Sequence, residues 1–259
     1  MVSLLAAERE SRLKQFVDKY FPQASSSLES ILGDAGQRSY YRISFQGKTY
    51  VVMDCPPTYC SVQAFVDVAV YLQKNEFSAP QIIHKDVEQG FLILEDFGSL
   101  SVKSYLLGGA GQEASEHQTI YHLIIDLLVL LQSKEVPSGL VIYDNELLLS
   151  ELKLFVDWYI PHAYGREIHM HELEEFMEIW QNILESQAPM PSSIVLRDYH
   201  VENMMYLEER KSIKKLGLLD FQDSLTGSPV YDLVSVLDDA RIQVQRTDAL
   251  RYIEYFSQK

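Results

Sequence analysis

The period of the apolar residues changes near residue 97, and that change limits the folds open to this chain. Before it, apolar runs at 28–32, 40–45, 50–53, 80–84 and 90–98 are separated by Gly-, Pro- and Asp-containing turns, the pattern of strands. Two helical stretches accompany them. Residues 4–20 carry Leu5, Leu13, Phe16, Val17 and Tyr20 ahead of Pro22, and 61–74 opens at Ser61 with Phe65, Val68, Ala69 and Leu72 on one face. After residue 97 the spacing becomes i, i+3, i+4, i+7. It predicts helices over 100–107, 115–133, 145–159 (closed by Pro161) and 172–187, and one more opening at Val230 that directs Ile242 to the core. Phe155, Trp158 and Tyr159 are among the apolar positions of the 145–159 helix, and Ile183 is expected to face inward on the 172–187 helix. Strands followed by helices imply an α+β fold, with an antiparallel sheet plus helices over 1–97 and a mainly helical part over 98–259.

Composition narrows the function. The 259 residues can bury a sizeable core in one large domain or two lobes. A net charge of -15 argues against a nucleic-acid footprint, which needs clustered Lys and Arg, so small anions must be held by a metal ion, single arginines or backbone N–H groups. The only cysteines, Cys55 and Cys60, read as two ordinary thiols of a reducing compartment. No signal peptide or membrane span is expected, since the apolar run at 123–131 carries Asp126 and is far short of about 20 residues.

The chemistry concentrates between Val195 and Asp223. Asp198 stands five residues before Asn203, and a second apolar run delivers Asp220 after a connection suited to a β-hairpin. Two carboxylates and an amide brought together have a use in phosphoryl transfer: one carboxylate orients and deprotonates the attacking hydroxyl, and the other two groups are hard oxygen ligands for Mg²⁺. Read singly, each residue is an ordinary turn former.

Leu-Arg-Asp-Tyr-His-Val-Glu-Asn at 196–203, Leu-Asp-Phe-Gln-Asp at 219–223 and Gly-Ser-Pro-Val-Tyr-Asp-Leu at 227–233 resemble the aminoglycoside phosphotransferase family, whose fold is protein-kinase-like. Within it, the Phe-Gln-Asp and the run from Tyr231 to Arg241 are most similar to bacterial anomeric kinases of N-acetylmuramate and N-acetylglucosamine in cell-wall recycling. The resemblance implies Asp198 as base, Asn203 and Asp220 on Mg²⁺, and ATP as phosphoryl donor. It places Gly33, Gly36 and Arg38 in the loop over the ATP phosphates and Glu95, Asp96 and Phe97 in a hinge that seats adenine by main-chain groups. Arg197, His200, Gln222 and Asp223 would touch the acceptor or support the site, and Asp232 would brace the catalytic loop with Arg197 as its partner.

Three departures from that pattern stand in the sequence. Leu196 replaces a His, the chain ends at Lys259 before several helices the family usually adds, and the third strand ends in Val51-Val52-Met53-Asp54 where kinases in general carry a phosphate-binding Lys, a Met-Asp-x-Pro-Pro that the resembled sugar-kinase subgroup shares. Asp54 reads either as a metal- or substrate-positioning acid or as a strand end. The expected activity is that of a cytoplasmic, ATP-dependent sugar kinase with a small-molecule acceptor and neither nucleic-acid nor membrane partners, its oligomeric state open. A nucleotide-binding pseudokinase scaffold, or a kinase of an amino-alcohol or aminoglycoside, stays open beside it.

Overall fold

The structure is a computed structural model that describes residues 2–31, 38–58, 61–109, 113–187 and 192–259. A five-stranded antiparallel sheet in the order β1-β2-β3-β5-β4 organises the N-terminal part. Its strands are β1 (Glu29–Ile31), β2 (Ser39–Phe45), β3 (Lys48–Asp54), β4 (Ile82–Asp86) and β5 (Phe91–Glu95). Side chains alternate across a strand, and here both faces are covered. Ile43, Val52, Phe91 and Ile93 bury against Leu13, Phe16 and Val17 of α1 (Val2–Tyr20). Met53, Leu92 and Leu94 bury on the opposite side with Phe65, Val68, Ala69 and Leu72 of α2 (Val62–Lys74). The near-continuous apolar runs of β3 and β5 follow from this two-sided burial.

The C-terminal part is helical, with α3 (Val102–Leu107), α4 (Ala114–Gln132), α5 (Asn145–Leu154), α6 (Ile160–Tyr164), α7 (Met170–Glu185), α8 (Val230–Leu237) and α9 (Arg246–Ser257). Helix α4 is its centre. Ile120, Ile124, Ile125, Leu127, Leu128 and Leu131 are all buried, on more than one face, as a helix with partners on several sides requires.

Several expectations fail in this half. The helix starting at Asn145 does not stop at Pro161: it widens into a π-helical turn over Phe155–Tyr159 and continues as α6. Pro161 follows closely on the π-helical turn, in the first turn of α6, and Gly165, at φ 65°, ends the segment. Phe155, Trp158, Tyr159 and Ile183 are exposed, Trp158 by 74%, because α5 and α7 pack on each other as a thin layer and leave their outer apolar faces open. Ile242 is buried but lies beyond α8, which ends at Leu237.

Helix α9 is weakly apolar and gave no clear period. It is fixed by aromatic contacts, Tyr252 stacking on Tyr121 with ring centroids 5.0 Å apart and Tyr255 on His122 at 4.2 Å. Tyr255 also donates to Asp126 at 2.9 Å, so His122 and Asp126 of α4 both hold α9 in place. Cys55 is buried and disulfide-bonded, against the expectation of ordinary thiols; Cys60 lies outside the described residues. Among the described residues no helix is long and apolar enough to cross a membrane.

Candidate active site

Two short antiparallel ribbons hold the stretch around Asp198. β6 (Ser193–Val195) pairs with β9 (Leu225–Gly227), and β7 (Met204–Tyr206) pairs with β8 (Leu216–Leu218). The pairings are nested along the chain. Segment 196–203 runs from β6 into β7, and segment 219–224 runs from β8 into β9, so the two are pinned side by side at both ends. Leu219 donates its N–H to the Asn203 carbonyl at 2.9 Å, continuing the β7–β8 ladder by one residue. Strand partners lie about 5 Å apart and successive Cα atoms 3.8 Å, so the Cα atoms of Asn203 and Asp220 are within about 10 Å.

Segment 196–203 is braced from behind. Asp232, in the first turn of α8 and almost fully buried, accepts the backbone N–H groups of Leu196 at 2.7 Å and Arg197 at 3.0 Å. This holds Arg197 at φ 69°, a conformation that costs a non-glycine residue roughly 1–3 kcal/mol. Burial pushes the Asp232 carboxyl up to about 7, with the two N–H donors pulling the other way. The expected pairing of Asp232 with the Arg197 side chain is not what forms. That guanidinium is bonded to Glu151 of α5 and lies over the Tyr143 ring. Tyr199 completes the brace, donating from its hydroxyl to the Ile124 carbonyl of α4 at 2.7 Å.

Asp198 then stands on a rigid base. Burial, and next the charge of Asp220, raises its pKa above the ordinary aspartate value. The Asn203 amide nitrogen is 3.2 Å from the Asp198 carbonyl and 3.2 Å from His200 Nε2, which leaves the amide oxygen for other partners. His200 is buried, and that burial, followed by the charge of Arg241, lowers its pKa, so Nε2 can accept from the amide. Asp220 sits at φ 55°. Its Oδ1 receives Gln222 Nε2 at 2.8 Å and Arg38 Nη1 at 3.2 Å, while Asp223 Oδ2 receives Gln222 Nε2 at 2.9 Å and Arg38 Nη2 at 3.2 Å. Phe221 between them packs on Phe65 of α2, ring centroids 4.9 Å apart, joining this segment to the sheet part.

The hinge residues are committed through their side chains. Glu95 is bonded to Arg210 of the β7–β8 tip, Asp96 takes Arg42 at 2.7 and 3.0 Å, and the Phe97 ring lies under Arg210 and against Gly217. A Cβ at Gly217 would come within 2.7 Å of that ring, so only glycine permits this approach of β8 to the hinge. Gly33 and Gly36 lie outside the described residues. Asp54 is paired with Arg9 of α1 at 2.8 Å, and Arg9 also donates to the Gln89 carbonyl, which fits a strand end tied to a helix better than a metal-positioning acid. Glu151, Arg210 and Arg9 carried no sequence signal: each is a charged residue whose partner is distant in the chain.

The donor set suits Mg²⁺. The Asp220 and Asp223 carboxylates with the Asn203 amide oxygen are hard ligands, and Mg²⁺ uses one or two protein carboxylates with phosphate and water oxygens instead of a full protein cage. Among the described residues no group of three or more His, Cys, Asp and Glu side chains forms such a cage.

A five-stranded antiparallel sheet above a helical part, with a carboxylate, an amide and a second carboxylate on two adjacent loops, is a protein-kinase-like arrangement. Residues 27–258 match the family described as "Phosphotransferase enzyme family", and the chain belongs to that family. It is 32% identical over 241 residues to an N-acetylmuramate/N-acetylglucosamine kinase of Neisseria meningitidis, covering 91% of this chain and 68% of that protein. It is 33% identical over 207 residues to the kinase of the same name from Pseudomonas aeruginosa, covering 80% and 58%. Among solved structures, the ADP-bound aminoglycoside phosphotransferase APH(2'')-Ib superposes with a TM-score of 0.69 at 17% identity, covering 96% of this chain and 82% of that one. The choline kinase LicA of Streptococcus pneumoniae does so with a TM-score of 0.65 at 14%, covering 95% and 80%.

Proposed function

We propose that the protein is a cytoplasmic, ATP- and Mg²⁺-dependent kinase of a small sugar, with the anomeric hydroxyl of N-acetylmuramate or N-acetylglucosamine as acceptor and the cleft between 1–97 and 98–259 as its site. The observation that carries this reading is the nested pair of ribbons that sets Asp198 beside Asn203 and Asp220. The acceptor assignment draws on the N-acetylmuramate/N-acetylglucosamine kinases to which the chain is 32–33% identical.

In this reading Asp198 accepts the proton of the acceptor hydroxyl as its oxygen bonds to the γ-phosphorus, and the bond from that phosphorus to the β-phosphate oxygen breaks to release ADP. The raised pKa of Asp198 brings it nearer working pH, which favours a general base. Asp220, Asp223 and the Asn203 oxygen would hold Mg²⁺, which supplies charge neutralisation across the phosphates. Asp232 and Tyr199 fix the loop, and His200 orients Asn203.

Transfer of radiolabelled phosphate from ATP to a panel of N-acetylmuramate, N-acetylglucosamine, choline and kanamycin-like amines tests the proposal. Label on the two sugars supports it, and label on an amine alone replaces the acceptor. The Asp at the end of β3 favours a second reading, a nucleotide-binding scaffold without transfer. It predicts ATP-dependent thermal stabilisation with no labelled product.

A further inference from the structure

The cation that kinases place at the end of their third strand is missing here. That position is Asp54, whose charge is already met by Arg9. Chemistry on a triphosphate gains from a positive side chain at the phosphates beside any metal ion, and the place for one is close to Asp220. The register Ser39↔Asp54 sets Arg38 immediately beside the end of β3, one strand over from the usual lysine.

Other arginines and lysines around the described cleft are spoken for. Arg197 is bound to Glu151, Arg210 to Glu95, Arg42 to Asp96 and the Gly98 carbonyl, and Arg241 and Lys103 to Glu202. Arg38 reaches from the sheet part across to the helical part and forks onto Asp220 and Asp223, both contacts at 3.2 Å. Charge-assisted N–H···O bonds contract to about 2.7–2.9 Å when tight, so these are loose, and they use only two of the five guanidinium N–H donors. Tyr40, two residues on and on the same strand face, lies beside the guanidinium and backs it.

Taking the kinase reading above as its basis, the geometry points to Arg38 as the phosphate-binding cation of this enzyme, doing from the start of β2 the work of the lysine absent from β3. Its fork holds one oxygen of Asp220 and one of Asp223, the same two that Gln222 holds. The other oxygen of each carboxylate takes neither of these donors, and the guanidinium N–H groups not engaged by the carboxylates or Tyr40 are available to the phosphoryl oxygens. Arg38 is a positioning and binding residue in this scheme. It links the lobes through the nucleotide, and it gives Gln222 and Asp223 a common purpose.

Calorimetric titration of the full chain with ATP and with adenosine, both in excess Mg²⁺, tests the assignment on Arg38→Gln and Arg38→Lys. Losing charge-assisted bonds predicts that Arg38→Gln binds ATP about ten- to a hundredfold more weakly and adenosine as the parent does. Arg38→Lys, which keeps the charge but not the fork, should recover part of the loss and also confirms that the position tolerates change. An unchanged ATP-to-adenosine ratio in Arg38→Gln overturns the assignment, as does an equal loss on both ligands in a variant that melts like the parent. A parent protein that binds ATP no better than adenosine overturns the kinase reading itself, a separate result.

Discussion

Leu219 donates its backbone N–H to the carbonyl of Asn203, and through that one bond the two loops of the candidate site become a single unit. Asn203 is then placed by β7, Asp220 by β8, and Asp198 by the turn between β6 and β7. Asp198→Asn removes the proton acceptor and keeps its shape. It should lower turnover about 10²–10⁴-fold while the ATP dissociation constant stays within a few-fold of the parent. Steady-state kinetics with calorimetry measures both, and a near-normal turnover would remove Asp198 from the mechanism.

The titration of Asp198 in the metal-free protein should carry the mark of its surroundings. Its pKa is raised by burial first and by the neighbouring charges of Asp220 and Asp223 after it. Its carboxyl carbon should therefore titrate above the usual aspartate value of about 3.9. Asp223→Asn removes one raising charge and should move that titration to lower pH. Carbon-detected NMR of the metal-free protein from pH 3 to 8 decides it, and a titration that stays put or moves up contradicts the electrostatic account. Added Mg²⁺, a positive charge beside these carboxylates, should move it down.

The three site residues were legible in the sequence because each stands at the end of an apolar run, and β-hairpin register converts run length into position. What surrounds them was not. β6 and β9 are three residues each and lie thirty positions apart, so nothing local marks their pairing. Arg38 meets Asp220 across 182 positions, and Glu151 meets Arg197 across 46. A charged residue on a surface helix looks the same whether it faces water or a catalytic loop. Helix α9 failed for a related reason: its burial rests on the Tyr121–Tyr252 and His122–Tyr255 stacks, and tyrosines on a polar helix leave little amphipathic signature.

Asp232 ties the loop to α8 at a cost that depends on pH. Its folded pKa of about 7 lies above the ordinary aspartate value of 3.8, so the folded state binds the extra proton between those limits. By linkage this group's contribution to stability is full below the lower value and is lost as pH rises through the upper one. Asp232→Asn abolishes the titration and leaves one N–H of Leu196 or Arg197 without its carboxylate oxygen, a loss of about 1–3 kcal/mol. Urea unfolding from pH 4.5 to 7.5 should show the parent's advantage over Asp232→Asn shrinking as pH rises. An advantage that grows would reverse the sign assigned to this carboxyl.

Gly217 offers a test of the hinge that touches no charged group. Alanine there would put a methyl about 2.7 Å from the Phe97 ring, and either β8 or the hinge must move. Overpacking of this kind costs about 1–3 kcal/mol. Nucleotide affinity should fall several-fold with little change in kcat once saturated, because in the kinase reading the displaced element seats the base while the reacting groups stay on their ribbons. Gly217→Ala/Phe97→Leu, which returns space, should recover part of both losses.

The Arg9–Asp54 pair decides what the acid at the end of β3 is for. Arg9 donates to Asp54 and to the Gln89 carbonyl and lies over the Phe91 ring at 4.6 Å, so a single side chain pins α1 to the sheet through all three. Burial still wins at Asp54, whose pKa is raised despite its partner, and so the carboxylate is costly to leave alone. Arg9→Ala should destabilise by about 3–5 kcal/mol, the loss expected when one member of a mostly buried pair is removed. Asp54→Asn should cost less, since the amide oxygen still accepts from Arg9. The double variant Arg9→Ala/Asp54→Asn should be more stable than Arg9→Ala alone, because no unpaired charge remains. Denaturant unfolding of the four proteins closes the cycle. A double variant no more stable than Arg9→Ala would mean that Asp54 is not burdened by its charge, and an acid free of that burden would again be open to a role at the metal.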